Sequence, residues 1–305
     1  MDGERFKTLN TRVNSDGSVA VMYNNENIGL RLNRGRLAGL ISSYNEIGDT
    51  VLKSLRKTIA SLIKETNLQH QQGYGLDGNT GRDFFGGLDI YSVDYSDGAS
   101  ITSATITDLT QINLHEYEIR FTSSTDYEIY DMDTDSVIAS GTYAPGGTIG
   151  FDGIEIVIDN DGGGPAKGDR FFISPIHNAI KNFSLNVSST DEIAAASDSS
   201  SLPGDNTNAL RIVDLYQNDV ADLGGSYNDF YNAIISASGS MSRASKDKMD
   251  FEDKLLDEMK LRRESVSGVN LDEEAANLVR FQKAYEAGAR LIKLTDELLE
   301  VIINL

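Results

Sequence analysis

From Leu271 onward the chain places residues for one helical face in alternating steps of four and three: Leu271, Ala275, Leu278, Gln282, Tyr285, Ala289 and Ile292, with Leu299 and Ile302 extending the line. A seven-residue period draws a narrow stripe along an α-helix, and a helix that keeps it winds left-handed around a partner. An isolated helix of this kind is marginal in water, so the stripe demands cover. Leu271, Ala275, Leu278, Tyr285, Ala289, Ile292 and Leu299 are therefore the candidate subunit-contact positions, interrupted by polar Gln282 and Asp296. Asn270 is a suitable N-cap, Glu273 follows at capping-box spacing, and Asp272, Glu273 and Glu274 load the first turn where the helix dipole favours anions. The apolar end, Val301-Ile302-Ile303-Asn304-Leu305, fits burial against other subunits. The plainer reading is a core helix packed on its own subunit.

The rest of the chain alternates between two periods. Asp16-Gly17 marks a hairpin turn between Thr11–Val13 and Val19–Tyr23. From Gly35, the residues Leu37, Ile41, Tyr44, Val51, Leu55, Ile59 and Leu62 follow helical spacing, predicting a long helix bent near Gly48 and ending near Gln71. Residues 85–176 are rich in Thr, Ser, Asp, Gly and β-branched side chains. Tyr117–Phe121, Tyr127–Ile129 and Ile154–Ile158 alternate with period two. Helical spacing resumes after residue 190, past a polar loop at 197–208. A second stripe runs through Phe230, Ile234, Ala237, Met241, Ala244, Phe251, Leu255 and Met259. The expected fold is α+β: a helical bundle with long helices, an inserted antiparallel β domain and a C-terminal coiled-coil helix. The expected divisions are 1–85 (hairpin and long helix), 86–176 (β domain), 177–265 (return helices) and 266–305 (coiled-coil helix).

Composition narrows the chemistry. The 305 residues carry 47 Asp and Glu against 27 Lys and Arg, a net charge of −20, which argues against nucleic acid as a partner. There is no Cys, so disulfides, thiolate metal sites and thiol nucleophiles are excluded. The chain shows no secretory signal pattern at its first residues and no apolar run of membrane-spanning length, so membrane insertion is not expected.

Short motifs fail on their context. Ser-x-x-Lys occurs at Ser54–Lys57, Ser61–Lys64 and Ser245–Lys248, without the companion motifs of acyl-serine enzymes. Asp131-x-Asp133-x-Asp135 begins like a calcium loop, but Ser136 and Thr142 stand where Gly and Glu are needed; Arg170 spoils the stretch from Asp159 likewise. Asp161-Gly162-Gly163-Gly164-Pro165 leads to a strand rather than a phosphate-binding helix. His70, His115 and His177 are scattered and read as ordinary residues. No catalytic, metal or cofactor site is expected.

Ser265-Val266-Ser267-Gly268-Val269-Asn270-Leu271-Asp272-Glu273-Glu274-Ala275-Ala276-Asn277-Leu278, with Phe281–Ala287 and Asp296–Leu299 beyond it, resembles the C-terminal signature of the flagellar hook-associated protein 1 family. His70–Phe85, Phe151-Asp152-Gly153-Ile154, Gly168–Ile173 and Gly204–Leu210 resemble further segments of that family, so the likeness covers most of the chain. The resemblance implies a non-enzymatic axial subunit of the bacterial flagellum at the junction of hook and filament. It also implies export through the flagellar type III pathway without a cleaved signal, and an extracellular location. The implied partners are other copies of the chain, the hook protein, hook-associated protein 3 and a flagellar export chaperone. The family's N-terminal helix has no counterpart here, which suggests a C-terminal fragment. Two alternatives stay open: another flagellar axial protein (hook, rod or hook-associated protein 3), or a secreted adhesin-like binding protein.

Overall fold

The computed structural model describes residues 9–13, 19–23, 26–28, 32, 35–96, 98–159, 163–267 and 271–303. The chain divides into two units, Met1–Gly239 and Ser240–Leu305.

The first unit opens with a small antiparallel sheet. β1 (Asn10–Val13) pairs with β2 (Val19–Tyr23), and β2 with β3 (Glu26–Asn27). Val13 lies opposite Val19. The Asp16-Gly17 turn itself lies outside the described residues. A continuous helical run follows: α1 (Gly35–Glu46), a π-helical turn at Ile47–Leu52, and α2 (Lys53–His70). Where the sequence suggests a bend near Gly48 the structure has this π-turn, in which the Lys53 amide reaches the Gly48 carbonyl five residues back.

The β region has two sheets. One is five-stranded, ordered β4 (Tyr91–Tyr95), β11 (Arg170–Ser174), β6 (Tyr117–Phe121), β7 (Asp126–Asp131) and β8 (Ser136–Thr142). The other is three-stranded: β5 (Ser100–Ile106), β10 (Ile154–Asp159) and β9 (Thr148–Phe151). Every pairing is antiparallel. Period-two alternation sends Tyr117, Ile119, Phe121, Ile129, Phe171 and Ile173 of the first sheet, and Ile154, Ile156 and Ile158 of the second, into one core. Asp152 and Gly153 form the two-residue link from β9 to β10 with φ of 44° and 71°. Both signs suit a primed hairpin turn. A Cβ at Gly153 would collide with the Asp108 carbonyl, so only glycine fits.

The core does not stop at the sheets. Ala60 of α2 belongs to it and Ile59 packs against it. After β11 the chain makes α3 (Ala179–Asn182) and short 3-10 turns at Thr190–Glu192 and Ser199–Ser201. Helix resumes only at α4 (Thr207–Asp214), later than the spacing after residue 190 suggests, because Ser189 and Asp198 cap brief turns that go no further. α5 (Tyr227–Ser267) carries the stripe from Phe230 to Met259, half-buried at Phe230, Ile234, Ala237 and Met241 and exposed at Phe251 and Met259. In the second unit α6 (Leu271–Ile303) follows α5. The architecture is α+β, with antiparallel sheets inserted between helices and a long helix at the C-terminal end. Among the described residues no helix is long and apolar enough to cross a membrane.

Candidate subunit interface

Helix α2 shows what a covered helical face looks like in this molecule. Ala60, Ile63, Lys64, Asn67 and His70 recur at helical spacing and are all buried. Each polar member has a specific partner. Lys64 Nζ donates to the Ile112 carbonyl at 2.9 Å and pairs with Asp222 Oδ2 at 2.8 Å. One ammonium thus ties α2 to the segment entering β6 and to the 3-10 turn Ala221–Leu223. Burial pushes the neighbouring Glu65 carboxyl up, against the pull of Lys64. Ser61 hydrogen-bonds the Tyr227 hydroxyl at 3.2 Å, and burial pushes that hydroxyl up to about 12.

Three turns earlier, Lys53 Nζ lies 3.1 Å from both Glu116 Oε2 and Asp133 Oδ2. Burial alone would lower this ammonium, but the two carboxylates outweigh it and raise it. The second acid belongs to the Asp131-x-Asp133-x-Asp135 run, whose carboxylates serve separate masters. Asp131 accepts the backbone amides of Asp133 and Thr134 at 2.8 and 3.1 Å and pairs with His115 at 2.8 Å. Asp133 also accepts the Glu116 amide at 2.8 Å, and Asp135 receives the Tyr130 hydroxyl. Among the described residues no group of His, Asp and Glu is placed to hold a metal ion.

At the end of α2, Asn67 Oδ1 accepts the amides of Phe84 and Phe85 at 3.0 and 2.9 Å, while Nδ2 donates to the Phe85 carbonyl at 3.0 Å. His70 Nε2 accepts the Ala194 amide at 2.9 Å, which leaves Nδ1–H to donate to the Arg82 carbonyl at 2.7 Å. Two side chains therefore fasten the segment before the β region and a segment after it to one helix. Sequence reasoning weighed Lys64 only in a Ser-x-x-Lys spacing, read His70 as an ordinary residue and did not consider Asn67. The available signal was their helical spacing with Ala60 and Ile63, which puts polar groups on an apolar face.

Helix α6 presents the opposite case. Leu271 is its first residue, and Asn270, the proposed cap, lies outside the described residues. Ala275, Leu278, Tyr285, Ala289, Ile292 and Leu299 are all exposed, from 54% at Leu299 to 81% at Tyr285 for the large side chains. Val279, Phe281, Leu291, Leu294 and Leu298 are exposed beside them. The helix keeps its acidic first turn, Asp272, Glu273 and Glu274. So the structure brings the six positions onto one helix and covers none of them.

Comparison with known proteins gives this arrangement a context. Residues 1–85 match the model of the flagellar hook-associated protein FlgK helical domain, and residues 92–175 match a flagellar hook-associated protein 1, D2-like domain. Residues 263–305 match the C-terminal model of flagellar basal body rod FlgEFG proteins. The flagellar hook-associated protein 1 of Salmonella typhimurium is 30% identical over 283 residues, which are 90% of this chain and 50% of that protein. That of Escherichia coli K12 is 28% identical over 278 residues, with the same coverage. The structure of the flagellar hook junction protein FlgK from Burkholderia pseudomallei superposes with a TM-score of 0.63 at 16% identity, covering 83% of this chain and 70% of that one, so the fold is shared. The chain spans about half the length of the curated relatives it matches. The matched models and relatives all carry the names of flagellar proteins. Two hook-associated protein 1 models together span more than half of the sequence, and the chain belongs to the flagellar hook-associated protein 1 family.

Proposed function

We propose that this chain is a non-enzymatic structural subunit of the bacterial flagellum, located at the junction between hook and filament and reached by flagellar export. Family membership supports the location, since the relatives carry the name of hook-associated protein 1. The observation that carries the mechanical part is the bare stripe of α6. Leu278, Tyr285, Ile292 and Leu299 stand exposed at coiled-coil spacing on a helix of 33 residues. Covering each large side chain contributes roughly 1.5–3 kcal/mol, enough in sum to drive association. On this reading Leu271, Ala275, Leu278, Tyr285, Ala289, Ile292 and Leu299 form the seam, and the covering partners are other copies of the chain, hook protein and hook-associated protein 3. A flagellar export chaperone would shield the stripe before assembly.

Sedimentation tests this directly. The intact chain is expected to self-associate in a concentration-dependent way near ~100 μM, and the association should vanish when residues 266–305 are removed. Leu278→Asp with Ile292→Asp should have the same effect, because each places a charge in the seam. An intact chain that stays monomeric, with residues 266–305 resistant to protease, would mean the helix needs no partner and would defeat the proposal.

A further inference from the structure

The face of the five-stranded sheet turned away from the core carries a second arrangement that intramolecular packing does not absorb. Arg170 of β11 lies directly opposite Arg120 of β6. Like charges facing each other across strands are unfavourable. Both guanidiniums turn to one acceptor, Glu118, whose side chain is only 4% exposed. Arg120 Nε donates to Glu118 Oε2 at 2.5 Å, and Arg170 Nη1 donates to Oε1 at 3.5 Å. The Arg120 guanidinium lies 3.5 Å above the Tyr130 ring, which fixes its plane. Glu128 stands opposite Arg120 on β7 and is not its ion-pair partner; Glu118 is.

A buried carboxylate thus holds two forks on the sheet, with the Arg120 and Arg170 side chains 38% and 56% exposed. Each guanidinium has five donors in a rigid fork, and Glu118 takes one from each. The free donors match the bidentate geometry of a carboxylate. A chain of net charge −20 repels its own copies, so any close array of them needs sites where cations meet carboxylates.

We propose that the Arg120–Arg170 pair receives surface carboxylates of a second copy of this chain and is a salt-sensitive contact between neighbouring subunits. This rests on the subunit reading above and adds to it a contact on the β region, separate from the α6 seam. The contact is electrostatic: the Debye length falls from about 10 Å at 0.1 M salt to about 3 Å at 1 M, and a pair near the surface is screened accordingly.

The test is self-association by sedimentation at 0.1 M and 1 M salt. The variant Glu118→Gln, Arg120→Gln, Arg170→Gln removes the pair without stranding a buried charge. It should associate about tenfold more weakly than the native chain at 0.1 M and equally at 1 M, with an unchanged melting curve. Should the triple variant misfold, Arg170→Gln alone, on the more exposed arginine with the longer Glu118 contact, should show a smaller loss of the same kind. Arg120→Lys with Arg170→Lys, which keeps charge but not the fork, should fall between native and triple variant. Association equal to native at both salt concentrations would overturn the proposal, as would native association that does not weaken with salt. The two readings fail separately. If Leu278→Asp with Ile292→Asp still associates while the arginine variants do not, the seam reading falls and the arginine contact stands.

Discussion

Helices α2 and α6 both carry apolar residues at helical spacing, and the chain treats them differently. In α2, Ile59 and Ala60 close against the β core, Ile63 is buried beside them, and the polar residues on the same face, Lys64, Asn67 and His70, find fixed partners inside the chain. In α6, Leu278, Tyr285, Ile292 and Leu299 stand open, and Lys283 beside them pairs along the helix with Glu286 at 3.2 Å. The difference separates a face that the chain closes itself from one that it leaves bare. A face closed within one chain tolerates buried polar groups, because the same fold can supply their partners. The α6 stripe is mostly apolar, with Gln282 and Asp296 as its polar interruptions.

The largest test of that contrast is Lys64→Met. It leaves Asp222 in a site where its side chain is 10% exposed without its counter-charge, and the expected loss is about 3–5 kcal/mol by urea unfolding. Adding Asp222→Leu should return most of it. A single variant that loses almost nothing would show that the ammonium is not what joins α2 to the β region. Next in size, Asn67→Ala strips partners from the amides of Phe84 and Phe85 and should cost about 1–3 kcal/mol, with the first effect seen as faster amide exchange at those residues.

A smaller effect is expected at Asp131. Burial would raise its carboxyl, but His115 and the amides of Asp133 and Thr134 outweigh it and hold it below the usual carboxylate range. A carboxyl depressed in the folded state stabilises the fold above its unfolded value and loses that contribution as pH falls through the folded one. Asp131→Asn should therefore flatten the acid limb of the stability profile below about pH 4. The melting temperature should not respond to added calcium or to chelators, since these carboxylates already have protein partners; a rise of several degrees with calcium would contradict the geometry. The smallest expected effect is on the other side of the comparison. Leu278→Asp with Ile292→Asp should change the unfolding of the dilute chain by no more than about 0.5 kcal/mol, because both positions are already in water. A large destabilisation there would mean that α6 closes on its own subunit.

Much of this was legible before any coordinates. Period-two alternation identified the strands around Ile119 and Ile156, and four-and-three spacing identified α1, α2, α5 and α6. The seven-residue period also told which residues of α6 share a face. What spacing cannot tell is what lies opposite. The ties from Lys64 to Asp222 and from His70 to Ala194 join residues 158 and 124 positions apart, and no local pattern announces them. Residues 190–206 were equally opaque, since short turns held by Ser189 and Asp198 leave no period to detect.

The π-turn at Ile47–Leu52 acts as a phase slip between two ladders. A residue added to an α-helix turns everything beyond it by about 100°, so the rows before and after the turn no longer lie in line. Leu37, Leu40 and Tyr44 stay in water on one side of the slip, while Ala60 and Ile63 enter the core on the other. One continuous helical run thus passes from water to core without a break in its backbone. Taking one residue out of the turn would rotate α1 by about 100° relative to α2.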